Sequence, residues 1–129
     1  MQYHHTEDAP RAIGPYSQAV SRGMILVTSG QVPLDPATNQ MLEGSFEEKT
    51  RRVFDNLAAV LKSANADFTD VVRATVYLTD LSNFESLNQI YAEYFGHHKP
   101  ARTTVGVAQL PKGAPVEIDL MAILPERRS

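Results

Sequence analysis

The stretch VEIDLMAIL, residues 116–124, decides the fold, because it reads as a β-strand that is apolar on both faces. Successive residues of a strand point to opposite sides of a sheet. One side of this strand carries Val116, Ile118, Leu120 and Ala122, and the other carries Met121 and Ile123. Pro125 then ends the strand, since proline has no N–H to donate to a neighbouring strand. The sheet around it therefore needs an apolar cover on each side.

Two predicted helices can cover one of those sides. Ser45 and Glu48 form a capping-box pair, which predicts a helix over residues 46–64. A second helix fits residues 83–95 and ends at Gly96, a residue type common at helix C-termini. Its buried stripe is predicted to contain Phe84, Leu87, Tyr91, Tyr94 and Phe95.

The remaining strands give the element order ββαβαββ. A hairpin is predicted from YSQAV (16–20) and MILVTSG (24–30), and a third strand from VVRATVYLTD (71–80). A fourth strand covers residues 102–108. Alternation predicts that one side of the third strand carries Val72, Ala74, Val76 and Leu78, and that the other carries Arg73, Thr75, Tyr77 and Thr79.

This order predicts an α+β domain that is incomplete as a single copy. Two helices of similar length can cover only one face of a four- or five-stranded sheet. Another copy of the same chain is the economical cover for the second face, because most soluble oligomers are symmetric homo-oligomers. We therefore expect one domain over residues 1–129 that forms an obligate homo-oligomer.

The composition argues against several classes of function. The formal net charge is −3 and the basic residues are scattered apart from Arg51-Arg52 and Arg127-Arg128, so we expect no nucleic-acid partner. The chain has no cysteine, which excludes disulfides and thiolate nucleophiles. No segment approaches the roughly 20 apolar residues of a membrane span. The N-terminus has no apolar targeting region, so we expect a cytoplasmic protein without a membrane partner.

Neither a cofactor nor a metal is expected. The chain has no glycine-rich phosphate loop. Its histidines are His4-His5, interpreted as part of an N-terminal tail, and His97-His98, which follow a predicted helix. A metal site needs more ligands in convergent positions than these pairs offer.

Arg102 is the first candidate for a functional side chain. It lies at the head of a mostly apolar strand, in the stretch KPARTTVGV (99–107). A guanidinium there reaches solvent, pairs with an internal carboxylate or binds an external anion, because burying it unpaired is unfavourable. Its planar fork suits bidentate binding of a carboxylate.

Glu117 is the second candidate, an acid near the start of an otherwise apolar strand. The alternative is that it lies on a polar or edge-facing side. If residues 102–108 and 116–123 formed a simple hairpin, Arg102 would pair near Ile123, about 20 Å from Glu117 at ~3.3 Å per residue. A site that uses both residues therefore requires another strand order or a subunit boundary.

Four further residues are weaker candidates. Tyr16 and the pair Ser29-Gly30 lie at opposite ends of the predicted hairpin, where either is otherwise an ordinary turn residue. Ser29-Gly30 ends a strand, where backbone groups are free to meet a ligand. Asn88 is the polar member of an apolar helical face, and it either serves a site or caps a buried backbone group.

Six collinear stretches closely resemble the reactive intermediate deaminase family of RidA type, also called YjgF. They are IGPYSQAV, TSGQVPLDP, NLAAVLKSANADFTDVVRATVYLTD, FESLNQIYAEYF, PARTTVGVAQLP and VEIDLMAI. The resemblance runs from Ala12 to Ile123, almost the whole chain. It implies a chorismate-mutase-like α+β fold with a mixed sheet and two helices on one face. It also implies a homotrimer with a central barrel of sheets and with clefts between adjacent subunits.

The resemblance also implies a reaction and a set of site residues. The family's carboxylate-binding arginine falls on Arg102 and its acid falls on Glu117. Thr104, where a cysteine is frequent in the family, would line the cleft without any thiol chemistry. The remaining substrate-binding positions are Tyr16, Ser29, Gly30 and Asn88. The implied activity is that of a cofactor-free 2-iminobutanoate/2-iminopropanoate deaminase, which hydrolyses enamine and imine intermediates to 2-keto acids and ammonia.

Two other functions are compatible with the same resemblance. A trimer that binds a keto acid in this cleft without turnover would use the same residues. An RNA-cleaving or translation-inhibiting role has been attached to some relatives, but the acidic balance of this chain disfavours it.

Overall fold

The computed structural model describes residues 1–125, so Arg127 and Arg128 lie outside the described residues. It contains two helices and one six-stranded sheet with the strand order β1-β2-β3-β6-β4-β5. The strands are β1 (Gln2–His4), β2 (Ala19–Arg22), β3 (Ile25–Thr28), β4 (Val71–Leu78), β5 (Ala101–Gly106) and β6 (Val116–Ile123). The helices are α1 (Phe46–Ser63) and α2 (Phe84–Phe95), and 3-10 turns occur at Phe68–Asp70, Leu81–Asn83 and Pro111–Gly113.

The sheet is mixed, and its last strand is inserted in the middle. β4 and β5 run parallel, as expected for two strands joined by a helix, and the other neighbouring strands are antiparallel. β6 pairs with β3 on one side and with β4 on the other. The last two strands of the chain therefore do not form a hairpin, because β4 lies between them.

The helix ends confirm the predicted capping signals. The Glu48 N–H donates to Ser45 Oγ at 3.1 Å, and the Ser45 N–H donates to Glu48 Oε1 at 3.1 Å. These bonds satisfy two N–H groups that a helix N-terminus leaves free. α2 stops at Gly96, whose φ of 62° lies in the left-handed region that favours glycine.

Both helices pack on one face of the sheet, as predicted. The inward side of β6 is fully buried there, and Phe54 of α1 anchors an aromatic cluster with Phe68, Tyr91, Tyr94 and Phe95. The opposite face stays open. On that face Ile25, Val27 and Ile123 are 37–47% exposed. The sheet of one copy therefore has an apolar side with no cover among residues 1–125.

Three local predictions were wrong. His4 belongs to β1 rather than to a tail, and its Nε2 lies 2.7 Å from Ser21 Oγ. A register shift between Val71 and Arg73 turns Val72 outward and gives the buried position to Val71. Phe84 is 39% exposed, so it is not a buried member of the α2 stripe. Neither helix within residues 1–125 is long and apolar enough to cross a membrane.

Candidate active site

Arg102 lies on the helix-covered side of the sheet, where α2 passes over β5. Its partner in the parallel register is Ala74 of β4, which is fully buried on that side. The guanidinium carbon lies 4.8 Å from the centroid of the Tyr91 ring and 5.5 Å from that of Phe84. The structure therefore holds this cation against two aromatic faces, a favourable arrangement.

No carboxylate pairs with Arg102 in the part of the chain that the structure describes. The salt bridge found there joins Arg51 to Glu93 on the surface of the two helices. The interpretation of Arg102 as half of a structural ion pair thus finds no support within residues 1–125. Arg102 is partly buried, so its charge is available for an anion brought from outside.

Three buried polar atoms without a hydrogen-bond partner belong to residues that flank Arg102. They are Asn88 Oδ1, Tyr91 OH and Thr104 Oγ1. Asn88 lies between Phe84 and Tyr91 on α2, and Thr104 shares the inward side of β5 with Arg102. Buried polar groups in native proteins nearly always have partners, so such a group of orphans points to a missing ligand or water. We call Phe84, Asn88, Tyr91, Arg102 and Thr104 together the Arg102 half-site.

Glu117 lies on the other side of the sheet and beside the end of β3. Its register partner on β4 is Tyr77, and both face the open side. Past the end of β3, Gln31 and Ile118 exchange backbone hydrogen bonds of 2.9 and 3.1 Å. These bonds bring Gly30 against Glu117, so that a Cβ atom built on Gly30 would lie 2.0 Å from Glu117 Oε2.

Tyr16 and Ser29 lie close to this position. Together with Gly30 they line a cavity of about 50 Å³, which is too small for a keto acid. Ser29 Oγ donates to the Ser17 carbonyl at 2.6 Å, and the Ser29 N–H donates to the Gln18 carbonyl at 2.9 Å. The expectation that the Ser29 backbone is free was therefore wrong for its N–H. We call Tyr16, Ser29, Gly30 and Glu117 the Glu117 half-site.

The environment of Glu117 changes its acidity. Partial burial, and to a smaller extent the negative charge of Asp119, raise the pKa of Glu117 above its ordinary value. A carboxyl group of this kind exchanges protons closer to neutral pH than an exposed glutamate does. On the other half-site, burial raises the pKa of Tyr91 while the Arg102 charge lowers it.

The two half-sites do not meet within one chain. Arg102 is level with Ala74, and Ala74 is level with Leu120 of β6, three residues from Glu117. Two strand spacings across and three residues along place the two Cα atoms about 14 Å apart. Leu120 faces the helices and Glu117, an odd number of residues away, faces the opposite side. The strand order alone therefore cannot bring both side chains to one ligand.

Sequence reasoning missed two members of the Arg102 half-site. The sequence pattern places Phe84 and Tyr91 in the buried helical stripe and indicates no functional role for either. Their spacing of seven residues is a signal, since it places both on one face of a helix. No cluster of three or more potential metal ligands occurs in the part of the chain covered by the structure.

Comparison with known proteins agrees with this fold. Residues 6–124 match the family described as Endoribonuclease L-PSP. A RutC family protein of Pyrococcus abyssi is 47% identical over 117 residues, which is 91% of this chain and 92% of that protein. The Homo sapiens protein named 2-iminobutanoate/2-iminopropanoate deaminase is 44% identical over 118 residues, which is 92% of this chain and 86% of that protein.

A solved structure gives the same result at the level of the fold. The crystal structure of RidA from the Antarctic bacterium Psychrobacter has a TM-score of 0.92 and 40% identity. The match covers 96% of this chain and 100% of that one. The resemblance found in the sequence is thereby confirmed, and the chain belongs to the Endoribonuclease L-PSP family, the family also called YjgF or RidA.

Proposed function

We propose that this protein hydrolyses 2-imino acids and their enamine tautomers to 2-keto acids and ammonia. The observation that carries the proposal is the Arg102 half-site, a guanidinium without a carboxylate partner in residues 1–125 and flanked by three orphan polar atoms. Such a site suits a small molecule that carries a carboxylate. The name of the human relative supports 2-iminobutanoate and 2-iminopropanoate as the substrate class.

We further propose a chorismate-mutase-like homotrimer with its sites between subunits. The Glu117 half-site of one subunit would face the Arg102 half-site of its neighbour. Two observations support this arrangement: the half-sites lie on opposite sides of one sheet, and that sheet leaves Ile25, Val27 and Ile123 partly exposed. Association through this face would bury apolar surface and complete the site in one step.

The reaction follows from these positions. Arg102 holds the substrate carboxylate with its two-pronged fork and orients the C=N bond. The Glu117 carboxylate takes a proton from water as the water oxygen bonds to the imine carbon, the electron pair of the C=N bond moves to the nitrogen, and solvent protonates that nitrogen. Glu117 then gives its proton to the amino nitrogen, the C–N bond breaks, and ammonia leaves as the carbinol hydroxyl returns a proton to Glu117 and the carbonyl forms. Because such imines also hydrolyse without an enzyme, the roughly 10²–10⁴-fold typical of positioned acid–base groups is enough.

A steady-state assay tests the proposed reaction. A dehydratase that generates 2-iminobutanoate is coupled to detection of 2-oxobutanoate, with and without this protein. We expect the protein to accelerate formation of the keto acid. Binding of 2-oxobutanoate without any acceleration would instead favour a keto-acid-binding protein.

Light scattering tests the assembly. A trimer at micromolar concentration is the expected result, and a sharp monomer peak would contradict the proposed assembly. Tight RNA binding that falls steeply with added salt would in turn indicate a nucleic-acid function.

A further inference from the structure

Among the glycines of residues 1–125, Gly30 has the least room for a side chain, because the Glu117 side chain lies where its Cβ atom would be. A Cβ atom at residue 30 would lie 2.0 Å from Oε2, 2.8 Å from Cδ and 3.1 Å from Cγ of Glu117. Ordinary van der Waals contact begins at 3.4 Å. The Glu117 carboxyl group therefore occupies the space that any other residue type at position 30 would need.

The backbone conformation of Gly30 does not require a glycine. Its φ lies outside the left-handed region, unlike that of Gly23 or Gly96. The adjacent backbone is fixed, because Gln31 and Ile118 exchange two hydrogen bonds and both residues are buried. Relief of a clash would therefore fall on the Glu117 side chain rather than on the main chain.

We propose that Gly30 is a positioning residue for Glu117, and that the absence of a side chain there sets where the carboxyl group lies. The inference rests on the proposed function in one respect, that Glu117 is the acid–base group. A methyl group at residue 30 would push Oε2 away by more than 1 Å. A displacement of about 1 Å at a reacting group can lower a rate roughly 100-fold.

The surroundings of Glu117 make a displacement of its carboxyl group measurable as a change in its pKa. Asp119 lies on the same strand, Tyr77 faces Glu117 from β4, and the β3 side contributes the uncharged Ser29–Gln31. Because Glu117 is partly desolvated where it lies, moving its carboxyl group off Gly30 into solvent would lower its pKa. A purely structural role of Gly30 would leave this titration unchanged.

The kinetic test is Gly30→Ala with Gly106→Ala as its matched control. The Cβ of the control would lie 3.1 Å from Cγ of Leu81, a flexible alkyl side chain. We expect Gly30→Ala to lower kcat about 100-fold with little change in KM and an intact oligomer, because the carboxyl group moves while Arg102 stays in place. Gly106→Ala should retain most of its kcat. Equal kcat in Gly30→Ala and the native protein would overturn the proposal.

A second test does not depend on activity, so it separates this inference from the proposed reaction. We expect Gly30→Ala to lower Tm in the native background and to lower it much less in the Glu117→Ala background, where the clash is gone. Carbon-13 NMR of Glu117 should show a lower pKa in Gly30→Ala. An equal drop in Tm in both backgrounds, or an unchanged titration, would overturn the positioning role. If the Tm drop depends on Glu117 and the pKa of Glu117 falls, but the protein does not accelerate imine hydrolysis, only the proposed reaction is contradicted.

Discussion

The Arg102 and Glu117 half-sites share one sheet but leave opposite charges uncompensated. Arg102 rests on two aromatic rings on the helix-covered side. Glu117 lies on the open side against Gly30, with another acid, Asp119, on the same strand. Within residues 1–125 neither group forms an ion pair. One half therefore offers a cation for a carboxylate ligand and the other an acid–base group, and because they lie on opposite sides of the sheet, we place the complete site between two copies.

Mixing two inactive variants gives the largest expected effect. Arg102→Ala and Glu117→Ala should each be inactive alone, because each removes one half of every site. Refolding them together would form trimers in which about a quarter of all sites combine an intact Arg102 with an intact Glu117. We expect activity to reappear in the mixture, measured as 2-oxobutanoate formation from 2-iminobutanoate.

The control is the double variant Arg102→Ala/Glu117→Ala refolded with the native protein. It supplies no new intact pair, and in a 1:1 mixture only about a quarter of all sites would join two native subunits, so activity should fall to about half of what dilution of the native chain alone would give. An inactive mixture of the single variants, with mixed trimers verified by native mass spectrometry, would contradict a site in which Arg102 and Glu117 come from different subunits.

Glu117→Gln tests the acid–base role of the Glu117 half-site alone. The amide keeps the shape of the side chain but cannot take a proton from water, so we expect kcat to fall by about 10²–10⁴-fold. Binding of 2-oxobutanoate, measured by calorimetry, should persist because the Arg102 half-site is unchanged. Loss of keto-acid binding in this variant would mean that Glu117 holds the ligand rather than acting on water.

Arg102→Lys tests the other half. Lysine keeps the charge but loses the planar fork, and hydrogen bonds to charged groups are worth about 1.5–3 kcal/mol, so kcat/KM should fall about 10- to 100-fold. The oligomer should stay intact in sedimentation. An unchanged kcat/KM would remove Arg102 from the site.

Tyr91 tests whether the aromatic support of Arg102 matters. Tyr91→Leu removes the ring beneath the guanidinium and should raise KM about twofold to thirtyfold, the range expected from a cation–π contact of about 0.5–2 kcal/mol. Tyr91→Phe keeps the ring and should lose less. Equal losses in the two variants would show that the buried hydroxyl, rather than the ring, is the important group.

The local patterns of the sequence predicted most of the fold. The two apolar sides of β6 and the capping box at Ser45 depend on neighbouring residues, and both are found in the structure. β1 was missed because three residues with polar neighbours give no alternation to detect. The position of Val72 was wrong because a β-bulge changes the register without a local sequence signal.

The arrangement of the candidate site depended on long-range pairing that no single stretch encodes. The insertion of β6 between β3 and β4 places Glu117 beside Gly30 and away from β5. The crossover through α2 places Tyr91 over Arg102. Distance reasoning on a simple hairpin showed that a site using both residues needs another strand order or a subunit boundary. The structure has another strand order, and it also shows that the two side chains face opposite ways.

Asp119→Asn gives the smallest expected effect, and it tests the Glu117 half-site specifically. A protonated Glu117 cannot accept a proton from water, so kcat/KM should fall as the pH drops through the pKa of Glu117. That pKa is raised above the ordinary 4.5, first by burial and second by Asp119, so the fall should occur above pH 4.5. Asp119→Asn removes the smaller cause, and the midpoint should move to lower pH while staying above 4.5. Glu47→Gln, at the exposed first turn of α1, should leave the midpoint in place. An unchanged midpoint in Asp119→Asn would contradict a contribution of the Asp119 charge to the pKa of the group that titrates.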